Sequence, residues 1–229
     1  EVSVTPPNTV ATTVSHHVHP VDAARKRDLL LHVLAQDSRR QTLVFSRTKH
    51  GADKLVRYLE TAGLRAAAIH GNKSQNARTR ALSDFKTGRI TVLVATDIAA
   101  RGIDIDQLPI VINFDLPMVA EDYVHRIGRT GRAGADGLAV SLVSHDESGL
   151  LRDIRRLLKQ EIAVTDVAGF EPSQPLRLVR LQHIDRMLDP ARSPGEDNGG
   201  VGRLGSRRGG LAERECEQHE AERVKQQQE

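Results

Sequence analysis

The sequence predicts an α/β fold, a parallel sheet with helices on both faces. Two observations carry this. Runs such as Thr42-Leu43-Val44-Phe45 and Thr91-Val92-Leu93-Val94-Ala95 are apolar without a break, as strands buried on both faces are. Between such runs lie longer segments with apolar residues at helical spacing, and the two kinds alternate along the chain.

The elements follow in order. Val14 to Val21 reads as a strand, with positions 14, 18 and 21 alternating only in part. Its His16, His17 and His19 stand close together without a local carboxylate or thiol, so no metal site is assigned to them. Asp22 to Ala35 reads as a helix with Leu29, Leu30, Val33 and Leu34 on one face. Strand 42–46 precedes a helix from Lys49 to Ala62, whose inward residues are Ala52, Leu55, Val56 and Leu59 and whose cap is Gly63. Arg65 to His70 is a strand, and Ser74 to Lys86 a helix ended by Gly88. Thr91 to Ala95 and Ile110 to Phe114 are strands, Ala120 to Ile127 a helix, Leu138 to Val143 a strand and Glu147 to Lys159 a basic amphipathic helix. In such sheets ligands bind beyond the carboxyl ends of the strands. The polar segments Ser46-Arg47-Thr48, Gly71-Asn72-Lys73 and Thr96-Asp97 fall there.

The pattern breaks after Gly169. Prolines 172, 175, 190 and 194 precede an Arg/Gly-rich stretch over 199–210, a composition that cannot bury a core. Leu176 to Leu188 reads as a weak helix, and Ala212 to Glu229 is almost wholly charged or Gln. The expected organisation is an extended linker over 1–13, one domain over 14–169 and a low-complexity basic tail over 170–229, largely disordered.

The 229 residues carry a formal net charge of +3, with two Tyr, four Phe and no Trp. A mildly basic chain suits a polyanion, but one so poor in aromatic residues suits nucleic-acid phosphates better than stacked bases. A single cysteine, Cys216, makes no internal disulfide and points to a reducing compartment. No apolar run is long enough to span a bilayer, and the N-terminus lacks a signal-peptide pattern. The expected setting is cytoplasmic, with no membrane partner. The chain begins with Glu rather than Met, so a longer parent is expected.

Three segments carry chemistry. His125-Arg126-Ile127-Gly128-Arg129-Thr130-Gly131-Arg132 packs arginines, whose planar forks match phosphate oxygens, beside glycines that let the backbone turn and a polyanion approach. In Ala95-Thr96-Asp97-Ile98-Ala99-Ala100-Arg101-Gly102-Ile103-Asp104-Ile105, Thr96 and nearby amides suit a phosphate at a helix start, and Asp104 suits a ribose hydroxyl. A capping Thr/Asp pair with a salt bridge from Arg101 explains the same residues equally well. Gln75 and Arg78 share one face of a helix start, where they suit either a phosphate or plain solvation. Gly71-Asn72-Lys73-Ser74 is not a P-loop, because Asn72 stands where the Walker pattern requires Gly. No Asp-Glu-x-Asp run supplies magnesium ligands.

Taken together, Thr42-Leu-Val-Phe-Ser-Arg-Thr48, Gln75-x-x-Arg78, Ala95 to Asp104 and His125 to Arg132 resemble the C-terminal helicase motifs of the DEAD-box RNA helicases. The wording Ile69-His-Gly-Asn-Lys-Ser-Gln75 is most similar to the bacterial RhlE-like branch. The resemblance covers about residues 14 to 170. It implies a single RecA-like domain that works beside an N-terminal RecA-like partner, which would carry the P-loop and hold most of the ATP and its Mg²⁺. Arg129 and Arg132 would reach the γ-phosphate as arginine fingers, Gly102 and Asp104 would meet the nucleotide, and His125 would couple the ATP and RNA sides. Arg47, Gly71, Gln75, Arg78, Thr96 and Arg101 would grip the RNA backbone, Arg101 with a second possible place at the domain junction or the ATP water. Arg126 stays open between a structural and a binding role. On this reading the chain supplies half of an ATP-dependent helicase and is inactive alone. The competing reading is a stand-alone RecA-like module that binds RNA or protein without ATP chemistry.

Overall fold

In a computed structural model, which describes residues 13–36, 40–100, 105, 107–131 and 136–178, the apolar runs are strands of one sheet. They are β1 Val14–Pro20, β2 Thr42–Phe45, β3 Ala66–Ile69, β4 Val92–Ala95, β5 Ile110–Asn113, β6 Gly137–Val143 and β7 Ala163–Val164. The helices are α1 Lys26–Gln36, α2 Lys49–Thr61, α3 Gln75–Lys86, α4 Asp97–Ala100, α5 Ala120–Ile127 and α6 Ser148–Leu158. The strands lie in the order β3-β4-β2-β5-β6-β1-β7, and every pairing is parallel.

The unbroken apolar runs are explained by the two faces they supply. Val44, Val92, Val94, Ile112, Val140 and Leu142 point into a core shared with α1 and α2. Their neighbours Leu43, Phe45, Leu93, Ala95 and Val111 point the other way, into a core with α3. Ala139 and Val143 join a third cluster with Tyr123 and Ile127 of α5 and Leu151 and Ile154 of α6. Side chains of a strand alternate between faces, so a strand buried on both sides must be apolar at every position.

The predicted helices differ at their starts. The stretch predicted from Asp22 opens as a 3₁₀ turn, Ala23–Arg25, before α1. Asp22 does not cap it, because its Oδ1 accepts from the backbone N and Oγ of Ser173 at 2.9 Å each. The helix predicted from Glu147 likewise opens as a 3₁₀ turn, His145–Glu147, where the Glu147 carboxylate folds inward. The helix start expected at Thr96 is the short α4, while the two-residue β7 has no counterpart in the sequence pattern.

The three histidines of β1 each find a separate partner. His16 Nδ1 is 3.2 Å from Tyr123 Oη, His17 Nε2 is 3.0 Å from Ser15 Oγ, and His19 Nδ1 is 2.7 Å from the Thr165 carbonyl. Burial, and then the neighbouring His17, lowers the pKa of His16, while burial pushes Tyr123 up to about 12. Both groups of that contact are therefore neutral at pH 7.

Residues 165–178 run back across the domain. Phe170 packs beside His32 and under the Arg25 guanidinium, 4.7 Å from the ring centre. His145 Nδ1 contacts the Pro175 carbonyl at 2.7 Å, and Leu176 and Leu178 pack against the α5–α6 core. The linker over 1–12 and everything from 179 onward, with the helix expected to Leu188, the Arg/Gly stretch and the acidic end, lie outside the described residues. Among the described residues no helix is long and apolar enough to cross a membrane.

Gly131 shows why the turn after α5 needs glycine. Its φ is +66°, and a Cβ there would stand 2.5 Å from Val14 Cγ2. Gly131→Ala is therefore expected to destabilise the domain by about 2 kcal/mol, read as a lower urea midpoint at constant slope. An unchanged midpoint would count against this packing. Gly128 differs from the sequence expectation of a sharp turn: at φ −65° it simply follows the end of α5.

Candidate functional site

The carboxyl ends of β2, β3, β4 and β5 open on one edge of the sheet, because all the strands run the same way. Each is followed by a polar turn. After β2, Ser46 is buried and its Oγ donates to Asp115 Oδ2 at 3.3 Å, while the Arg47 backbone N donates to the same oxygen at 2.8 Å. Thr48 then caps α2, accepting from Gly51 N at 2.9 Å. After β3, Gly71 leads through Asn72 and Lys73 to Ser74, which caps α3 and accepts from Ala77 N at 3.3 Å. After β4, Thr96 N donates to the Ile69 carbonyl at 3.2 Å, and the Thr96 carbonyl starts α4 by accepting from Ala99 and Ala100.

Arg126 ties this edge together. It is 2% exposed, and its Nε and Nη2 reach Asp97 Oδ1 and Oδ2 at 2.6 and 2.7 Å, a bidentate pair. Nη1 donates to Asn113 Oδ1 at 3.1 Å and to the Asp115 carbonyl at 2.6 Å, and the guanidinium lies 4.9 Å from the Phe45 ring centre. Asn113 Nδ2 in turn donates to Ser141 Oγ at 3.1 Å. One side chain thus fastens α5 to the ends of β4 and β5, and the question left open for Arg126 resolves to a structural role.

His125 sits in the last turn of α5 and Arg129 just beyond its end. They line one small pocket together with Phe45, Asp97, Ala100, Asp122 and Arg126. His125 is exposed, and Arg129 is half-buried with Nη2 3.5 Å from the Ala100 carbonyl. The Arg129 carbonyl accepts from Leu108 N at 3.1 Å, and Thr130 Oγ1 donates to the Leu108 carbonyl, so the segment is pinned by its backbone. Arg101, Gly102, Asp104 and Arg132 lie outside the described residues.

Gln75 and Arg78 do share a face, with Arg78 Nη1 donating to Gln75 Oε1 at 3.3 Å. Arg47 reaches across to Glu147, Nη2 to Oε1 at 2.9 Å. Glu147 was not singled out in the sequence, yet it is a buried hub. Its carboxylate also pairs with the buried Lys26 ammonium and accepts from Leu116 N and from Ser144 N and Oγ, each at 3.2 Å. A second unforeseen group is Asp53, whose Oδ1 lies 3.0 Å from both Lys73 Nζ and His70 Nε2. The lysine contact is the directed one, since His70 Nε2 makes no well-angled hydrogen bond. Partial burial raises the Asp53 pKa, but the pull of His70 and Lys73 outweighs it and leaves the group below its ordinary value. Among the described residues no three His, Cys, Asp or Glu side chains come together to hold a metal ion.

Known proteins share this arrangement. Residues 25–134 match the family described as helicase conserved C-terminal domain. The chain is 38% identical over 202 residues to the ATP-dependent RNA helicase DBP2 of Chaetomium thermophilum, covering 86% of this chain and 33% of that protein. Across the matched curated relatives the shared region spans 20% to 33% of their length. The fold superposes on the E. coli DEAD-box protein SrmB, solved bound to regulator of ribonuclease activity A, with a TM-score of 0.67 and 35% identity. That match covers 72% of this chain and 97% of the solved one. S. cerevisiae Dbp5 bound to RNA and ADP BeF3 gives 0.65 and 29%, over 71% of this chain and 44% of that one. Motif order, sheet topology and these likenesses agree, and the chain belongs to the DEAD-box helicases as their helicase C-terminal domain.

Proposed function

We propose that this chain is the C-terminal RecA-like half of an ATP-dependent RNA helicase, completing an ATP site and an RNA track that a second domain begins. The observation that carries the reading is that His125 at the end of α5 and Arg129 just beyond it line one pocket at the strand ends. Arg126 lines it too, but its guanidinium is spent on Asp97, Asn113 and the Asp115 carbonyl. Arg129 and Arg132 are the fingers for the γ-phosphate, Gly102 and Asp104 approach the nucleotide, and His125 couples that site to the RNA side. Arg47, Gly71, Gln75, Arg78, Thr96 and Arg101 hold the RNA backbone without reading bases. Support for an RNA partner comes from the fold-matched Dbp5 solved with RNA and ADP BeF3. An N-terminal RecA-like domain is the partner that holds most of the ATP and the Mg²⁺. The narrower RhlE-like placement rests on the Ile69–Gln75 wording, whereas the named curated relative is of the DBP2 kind.

The RNA half of the reading is tested by binding. With the chain paired to a matching N-terminal half, Arg78→Ala is expected to weaken single-stranded RNA uniformly across sequences and to reduce the salt slope by about 1. Equal affinity and equal slope would remove Arg78 from the RNA track.

A further inference from the structure

The free edge of β3 carries a second site. β3 ends the sheet, with β4 on one side only. The Arg65 carbonyl accepts from Thr91 N and Val92 N, and the Ile69 carbonyl accepts from Thr96 N. In a parallel ladder bonding residues alternate, so the N–H and C=O of Ala66 and Ala68 face outward. Exposed strand edges are normally blunted or covered. Here α2 packs on one face of the sheet and α3 on the other, and between them the edge lies at the bottom of a slot of about 560 Å³ that is open to solvent. The floor is small, made by Ala66, Ala67 and Ala68, with Ala77 on the α3 wall. A further strand fits where larger side chains would fill the space.

The walls state the charge of the occupant. α2 leads into the start of β3 and α3 leaves from its end, so Glu60 and Asp84 flank the start, and Asp53 and Lys73 the finish. Arg57 and Arg80 stand between them on opposite walls. Asp53 is held by Lys73, and Asp84 by Arg89 at 3.1 Å. Among the described residues Arg57 Nε donates to the Asp53 carbonyl alone, at 3.4 Å, and the Arg80 side chain is 87% exposed with Nε 3.8 Å from Asp84. Neighbouring residues of an added strand point to opposite faces, so two consecutive acidic side chains would meet one arginine each. A second copy of this chain, edge to edge, would instead bring these arginines against their own counterparts.

We propose that this slot takes an extended peptide segment of a partner protein, added beside β3, with small side chains and two consecutive acidic residues at its centre. Strand addition of this kind draws affinity from the main chain and specificity from alternate side chains. The slot shares no residue with the proposed RNA track, so the two ligands bind independently.

The test uses the full chain and a fluorescent peptide, Ser-Ala-Val-Glu-Asp-Val-Ala-Ser, followed by anisotropy. Saturable binding is expected at roughly 10–100 µM. Arg57→Glu combined with Arg80→Glu, both at exposed positions, is expected to weaken it at least ~10-fold and to favour instead a peptide with Lys-Lys in place of its Glu-Asp pair. Methylating alternate peptide nitrogens probes the ladder without touching the protein. One alternation pattern abolishes binding, and the other leaves it within about twofold, because only one set of N–H groups faces β3. No saturation by roughly 1 mM, equal loss with both patterns, or an unchanged affinity in the double variant would overturn the proposal. So would a dimer of the chain that the double variant abolishes, since it would assign the slot to a second copy.

Discussion

Arg126→Ala is expected to cost about 3 kcal/mol of folding stability, because it breaks an ion pair buried on the arginine side. The substitution leaves the Asp97 carboxylate without its bidentate partner, and the Asn113 amide oxygen and Asp115 carbonyl without a donor. Asn113 is fully buried, and a stranded buried acceptor carries a desolvation penalty of about 1–3 kcal/mol, while the partly exposed Asp97 would regain water. The substitution also opens a void against Phe45. A domain of ordinary stability, about 5–15 kcal/mol, would lose a large share of it. Arg126→Lys keeps the charge but not the fork, and is expected to recover less than half of the loss. Urea unfolding reads both. A midpoint within ~0.5 kcal/mol of the parent chain would mean that Arg126 is not the tie described.

Arg129→Ala and Arg132→Ala are each expected to reduce ATP turnover by about 10³-fold or more in the two-domain assembly, within the range seen for trans-acting arginine fingers. The loss should fall on kcat, because a finger acts on charge that develops in the transition state. RNA affinity in the absence of nucleotide should stay within about twofold, and Lys at either position should not restore turnover. Arg129→Ala should leave the fold intact, since its links to Leu108 run through the backbone carbonyl and are kept. Turnover within about threefold of the parent would exclude the residue as a finger.

The sheet was legible because its strands are buried on both faces. Unbroken runs such as Val92 to Ala95 have no other simple reading, and the helices between them carried clean stripes. Helix starts were less legible, since Asp22 turns to distant Ser173 instead of capping locally, and the Glu147 carboxylate, besides its capping box with Ser144, also serves distant Lys26 and Arg47. The site was half legible. The spacing of His125 to Arg132 revealed a phosphate-like motif, but not that Arg126 is buried in a hydrogen-bond network while His125 stands exposed beside it. That depends on which side of α5 meets the sheet, and the sheet is assembled from distant segments. Glu147 was invisible for the same reason: its partners Lys26 and Arg47 lie 121 and 100 residues away. The Ser144-x-x-Glu147 spacing marks a capping box, but nothing local marks those distant partners.

On the proposed reading this chain holds half of a composite ATP site. The direct measurement is RNA-stimulated ATP hydrolysis by the chain alone, by a matching N-terminal RecA-like half alone, and by the two linked or mixed. No turnover above background is expected for this chain alone, and RNA-dependent turnover only when both halves are present and Arg129 and Arg132 are intact. Hydrolysis by this chain alone, or an assembly equally active without both arginines, would contradict it.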